Sequence, residues 1–76
     1  MDITKFIENV ADQFEGIDAS ELKIVTKFKE LDEWSSLIAL SVIAMVDEEY
    51  EVTIKGDDII GAETIGDLFN LVKSRV

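Results

Sequence analysis

The sequence predicts an all-α fold, a four-helix bundle with three longer helices, one short helix and a long first loop. Three observations carry this. Apolar residues recur at helical spacing in three separate stretches. Each stretch is bounded by residues that start or stop helices. The one strand-like run, Glu51-Val52-Thr53-Ile54, has no convincing mate nearby. The 76 residues make one domain, 1–76, and a chain this short buries only about 60% of its unfolded surface, so the core is small.

In the first helix, Ile3, Phe6, Ile7, Val10, Ala11 and Phe14 fall on one stripe. Asp2 or Thr4 can cap its start, and Gly16 supplies a stop just past the last apolar residue. Residues 15–35 read as a long, mostly irregular connection with a short turn of helix around 19–23. Asp18 and Glu21 have capping-box spacing, but the β-branched pair Val25-Thr26 argues against a long helix. Ile17, Leu22, Ile24, Phe28 and Leu31 are expected to pin this connection to the core. A structureless link of about twenty residues either has a functional reason or hides a helix, and both readings stand at this point.

The second helix is expected from Ser36 to Tyr50, with Ser35 or Ser36 as its N-cap. Leu40, Ile43, Val46 and Tyr50 form the expected inward stripe with Val42 beside it, yet Ile38, Ala39, Ala44 and Met45 are apolar too. A helix apolar nearly all round is either central or keeps part of its face for a partner, and a small domain cannot bury it completely. Asp47-Glu48-Glu49 sit at its carboxyl end, where negative charge is mildly unfavourable, so stability does not account for them.

Beyond it, Val52 and Ile54 are expected to dock inward from an extended loop. A short helix at about 57–60 follows, capped by Asp57 and Asp58 and ended by Gly61. The last helix begins after Thr64, which forms a capping-box pair with Asp67. Ile65, Leu68, Phe69 and Val72 make its stripe, and Lys73 and Arg75 suit its carboxyl end.

Composition removes several functions. The chain has neither cysteine nor histidine, which excludes disulfides, thiolate nucleophiles, zinc fingers and histidine bases. Seventeen acidic residues against seven basic ones give a net charge of −10, which repels phosphate backbones and anionic membranes and attracts basic partners. The same acidity also serves plain solubility. Met1–Val10 carries Asp2 and Glu8 and is not a basic leader, and the apolar run 37–46 is too short to span a bilayer. The expected location is cytoplasmic, with no nucleic acid, no stable membrane association and a monomeric state. Residues 57–63 lack the alternating oxygen ligands of a calcium loop, so no metal site is expected, and with no histidine to activate Ser35 or Ser36 no catalytic residue is expected.

One constellation remains: Phe28-Lys29-Glu30-Leu31-Asp32-Glu33-Trp34-Ser35-Ser36-Leu37, the apolar helix, then Asp47-Glu48-Glu49-Tyr50. It resembles the core motif of acyl carrier proteins and of the related peptidyl and D-alanyl carriers. Phe14-Glu15-Gly16-Ile17-Asp18, Thr26-Lys27-Phe28 and Thr64-Ile65-Gly66-Asp67-Leu68 extend the likeness over most of the chain. The resemblance implies an acyl-carrier-like four-helix bundle whose long first loop is a family trait. It also implies that Ser36 bears a covalent 4'-phosphopantetheine arm taken from coenzyme A. The chain would then be a carrier, not an enzyme, holding acyl intermediates as thioesters for fatty-acid, lipid or secondary-metabolite synthesis. Its partners would be a holo-carrier synthase (a phosphopantetheinyl transferase), an acyl- or aminoacyl-loading ligase and downstream synthases.

Two departures from the family pattern matter. Ser35 stands where the family usually has aspartate, and it offers a second hydroxyl beside Ser36. Ile38 and Ser41 stand where family members often carry acids, while Asp47 and Glu48 match acidic positions farther along. The expected partner face is therefore Leu37, Ile38, Ser41, Ala44, Asp47 and Glu48, apolar near the serine and acidic at the far end. Two other readings compete: an aminoacyl (peptidyl or D-alanyl) carrier, and an unmodified acidic helical domain that binds a protein.

Overall fold

A computed structural model describes residues 1–76 and contains helices and turns but no strand. In chain order these are α1 (Ile3–Ala11), α2 (Ser36–Tyr50), α3 (Gly56–Gly61) and α4 (Ile65–Arg75). Two single 3-10 turns, Ala19–Glu21 and Phe28–Glu30, interrupt the long connection between α1 and α2. That connection is thus neither a hidden long helix nor structureless.

Asp2, rather than Thr4, caps α1: its carboxylate accepts from the amides of Thr4 and Lys5 at 3.4 and 3.3 Å. The helix ends at Ala11, short of the stripe's last member. Phe14 still enters the core because the amides of Gln13 and Phe14 donate to the carbonyls of Val10 and Ala11, tightening the chain into 3-10 geometry. Gly16 then turns the chain at φ +81°, a conformation that a side chain would strain.

The core draws on every helix. Phe6 is fully buried at its centre, with Phe69 edge-on at 5.4 Å and Tyr50 at 5.8 Å. Asn9 is the one buried polar side chain, and its Nδ2 donates to Tyr50 Oη at 2.9 Å. That bond offsets the cost of taking the amide out of water. From the long connection, Leu22 and Phe28 are buried, and Ile17 and Leu31 pack against the core more loosely. Ile24 does not behave as expected: it is 53% exposed and does not reach the core. Its backbone is what holds the loop. Gly66 N donates to Ile24 O at 2.8 Å and Ile65 N to Thr26 O at 3.1 Å, so the unpaired amides at the start of α4 anchor the connection. A Cβ at Gly66 would stand 2.6 Å from Ile24 Cγ2 and 3.1 Å from Ile24 O, so only glycine fits without a shift.

Val52 and Ile54 are buried from an extended segment, as the sequence predicts. Two details of α3 differ. Lys55, not an aspartate, takes the N-cap position, and Gly61 is the last helical residue rather than a stop beyond the helix. Asp58 contributes from the third helical position, accepting the Lys55 amide at 2.9 Å. It also forms a bidentate pair with the Arg75 guanidinium, both bonds 3.0 Å, and Arg75 donates further to Thr53 O. The Arg75 hydrogen bonds, more than the Lys55 amide, hold the Asp58 carboxyl below its ordinary pKa. At α4 the expected capping box is present in both directions: Asp67 N donates to Thr64 Oγ1 at 3.1 Å, and Thr64 N to Asp67 Oδ2 at 3.2 Å. Backbone amides of Thr64 and then Glu63 likewise lower the pKa of Asp67.

Candidate attachment site and partner face

Ser35 and Ser36 have different jobs because the chain enters α2 in an extended conformation. Ser35 has φ −154° and ψ 169°, outside the helix, and its Oγ accepts the Ile38 amide at 3.2 Å. It is the N-cap. Ser36 is the first helical residue and lies exposed; its hydroxyl takes no part in that cap. The two hydroxyls, either of which the sequence allows as the cap, are therefore separated, one tied to the backbone and one facing solvent.

The approach to this serine is fixed by aromatic packing. Trp34, half-buried, stands edge-on to buried Phe28 at 5.2 Å and tilted against Phe14 at 6.0 Å. Through these rings the last residues before α2 rest on the turn that ends α1. Trp34 thus ties the loop to the α1 end of the core. An open groove of about 450 Å³ is lined in part by Ser35 and Leu37, the neighbours of Ser36 in the chain, with Gln13, Glu33, Ile38 and Ser41; Ser36 itself is outside its lining. Polar residues make up most of its lining.

Along α2 the helix phase is clear. Val42, Met45 and Val46 are buried, with Ile38, Ile43 and Tyr50 half-buried behind them. The outward residues are Ser36, Leu37, Leu40, Ala44, Asp47, Glu48 and Glu49. Of the residues expected on the partner face, Leu37, Ala44, Asp47 and Glu48 share this exposed surface. Ile38 and Ser41 lie at its margin, half-buried, and Ile38 packs against the core. Leu40 is the correction: expected inside, it is 63% exposed, between Ser36 and Ala44 on the outer face. The polar residues of α2 held the signal for this. Ser36, Asp47 and Glu48 at i, i+11 and i+12 define an outward side that also contains i+4, which is Leu40.

No cluster of three or more potential metal ligands is present, and no helix is long and apolar enough to cross a membrane. What the fold and site define is a scaffold: a small acidic bundle that presents one free hydroxyl at the mouth of an exposed apolar helix face. Comparison with known proteins makes the class specific. Residues 4–72 match the family described as the phosphopantetheine attachment site. An acyl carrier protein from Streptococcus thermophilus (strain CNRZ 1066) is 37% identical over 60 residues, spanning 79% of this chain and 77% of that protein. The chain belongs to the acyl carrier protein family. It is a carrier rather than an enzyme, and its cofactor is a covalently attached 4'-phosphopantetheine. The residues at the start of α2 suit that group: an accessible serine hydroxyl, a helix amino terminus that favours a phosphate's charge, and open space alongside.

Proposed function

We propose that Ser36 Oγ is the attachment point of the arm, and that the chain carries acyl intermediates to partner enzymes of fatty-acid, lipid or secondary-metabolite synthesis. The observation that carries the assignment is the division of labour at the head of α2. Ser35 Oγ is held by the Ile38 amide, whereas Ser36 is exposed and outside the cap. Using Ser35 for attachment would sacrifice a cap worth about 1 kcal/mol; using Ser36 sacrifices nothing. When bound, the group supplies the terminal thiol that this cysteine-free chain lacks, and cargo is held there as a thioester.

The protein's own part is positional. Capping by Ser35 and the Phe14–Trp34–Phe28 packing hold the serine on a rigid helix end. A tethered substrate then meets each partner site at a high effective concentration. Leu37, Leu40 and Ala44 supply an apolar contact surface, with Ile38 and Ser41 at its edge. Asp47 and Glu48 add the charge that steers basic partners onto it. The partners are a holo-carrier synthase, a loading ligase and downstream synthases, met by a monomer in the cytoplasm.

Intact-mass measurement after incubation with coenzyme A and a promiscuous phosphopantetheinyl transferase tests the site. One phosphopantetheine addition is expected on the wild type and on Ser35→Ala, and none on Ser36→Ala. Addition that survives in Ser36→Ala and vanishes in Ser35→Ala would overturn the assignment.

A further inference from the structure

The basic residues of this chain are not spread evenly. Residues 30–54 contain seven carboxylates and no lysine or arginine, whereas Lys23-Ile24-Val25-Thr26-Lys27-Phe28-Lys29 holds three lysines and no acid. On a chain of net charge −10 these lysines have ample acidic residues to pair with, yet the one salt bridge is Arg75–Asp58. The lysines are interleaved with apolar side chains that face water: Ile24 is 53% exposed and Val25 76%.

The segment is firmly held. It runs beside residues 60–66, with Ile24 O bound by Gly66 N, Thr26 O by Ile65 N, and Lys29 Nζ donating to Ile60 O at 2.6 Å. Thr26 Oγ1 accepts the Lys23 amide at 2.8 Å, closing the turn between them. The Lys29 bond ties the loop to the backbone of Ile60, whose side chain is 72% exposed. Lys27 and Lys29 face Glu30 and Glu63 across an open groove of about 230 Å³ without pairing to them. The result is a preorganised loop whose exposed Ile24 and Val25 lie between the free ammonium groups of Lys23 and Lys27, separate in sequence from α2.

We propose that Lys23–Lys29, with Ile60 beside it, is a second docking surface, and that it takes an acidic protein surface with an apolar centre. Carboxylates of such a partner meet Lys23 and Lys27, and its apolar residues cover Val25 and Ile60. The surface complements α2, which presents the opposite charge with a similar apolar component. A membrane fits less well: the few lysines would meet an extended anionic plane that repels the rest of the molecule. A second copy fits less well too, because its complementary face is α2, and seating that face here would cover Ser36.

The test is a titration of the isotope-labelled full chain, followed by amide NMR shifts. The probes are an amphipathic peptide helix with leucines on one face and glutamates on the other, and a counterpart with lysines in place of the glutamates. The glutamate peptide is expected to shift amides of 23–29 and 60–66. Lys23→Glu/Lys27→Glu, whose native amines bond nothing within the chain, is expected to weaken that binding about tenfold. Val25→Ser, which leaves every charge in place, is expected to weaken it as well. Both variants should keep wild-type circular dichroism and accept phosphopantetheine at the wild-type rate, which separates this surface from the attachment site. Equal shifts from the two peptides, or no shifts from the glutamate peptide, would overturn the proposal. So would lysine-dependent co-sedimentation with phosphatidylglycerol vesicles, or self-association of the chain alone that Lys23→Glu/Lys27→Glu abolishes.

Discussion

α1 and α2 are both rich in apolar residues, and they spend them differently. α1 is nine residues long and strongly amphipathic; Phe6, Asn9, Val10 and Ala11 are buried, and Thr4, Lys5 and Glu8 face water. α2 is fifteen residues long and apolar nearly all round, yet only Val42, Met45 and Val46 are buried while Leu37 and Leu40 stand in solvent. A helix whose apolar pattern matches its buried face is explained by folding. The surplus on α2 is not, and it adjoins the exposed serine. The difference between the two helices therefore separates the residues that make the fold from those that serve its use.

The largest effect should come from the first helix. Phe6 is fully buried between Tyr50 and Phe69, so Phe6→Ala removes its contacts and leaves a cavity. A loss of about 3–5 kcal/mol is expected in urea unfolding, a large share of a small domain's stability. A loss under about 1 kcal/mol would show that α1 is not the anchor of the core, and the contrast with α2 would collapse.

Acid sharpens the comparison through a third region, the α3–α4 end of the chain. Asp58 and Asp67 have pKa values lowered by folding, Asp58 mainly through Arg75 and Asp67 through backbone amides. Each therefore contributes stability that is fully present above the ordinary carboxylate pKa of 3.8 and is lost as pH falls through the lower folded value. Wild-type stability should decline below about pH 4. Asp58→Asn should be less stable at neutral pH and show a shallower decline, read from thermal midpoints between pH 2 and pH 6. An unchanged acid slope would show that the α3–α4 clamp carries no pH dependence.

Much of this fold is visible in the sequence because its local signals agree with one another. The stripe of α1 as far as Ala11, the Thr64–Asp67 box and the bounds Ser36–Tyr50 each rest on spacing along one helix, and the structure holds them. The parts that needed coordinates are those decided by another element. Ile24 reads as a core residue by composition, but it lies where the α4 amides of Ile65 and Gly66 fix the loop. Nothing in its neighbours encodes that contact, and Gly66 carries it only as a missing Cβ. Leu40 is hard to place for another reason: the apolar residues of a helix greasy on every side do not set its phase, and only its few polar positions do. Ser35 and Ser36 were indistinguishable as caps until the extended backbone at 35 set the helix start.

Leu40 gives the smallest expected effect on folding and the most direct probe of the two-helix comparison. At 63% exposure its side chain makes few contacts that folding creates, so Leu40→Ser should change stability by no more than about 0.5 kcal/mol. The hydroxyl is solvated in both states, and serine in place of leucine adds only a small helix-propensity cost. Against a partner the same change removes apolar surface next to the attachment serine, and a contact of that kind is worth about 1 kcal/mol or more. Transfer of phosphopantetheine to Ser36 should then slow about fivefold in kcat/KM, while unfolding stays near wild type. A variant that unfolds early and is modified at the normal rate would place Leu40 with the core after all. α2 would then be a central helix like α1, with no surplus left to explain.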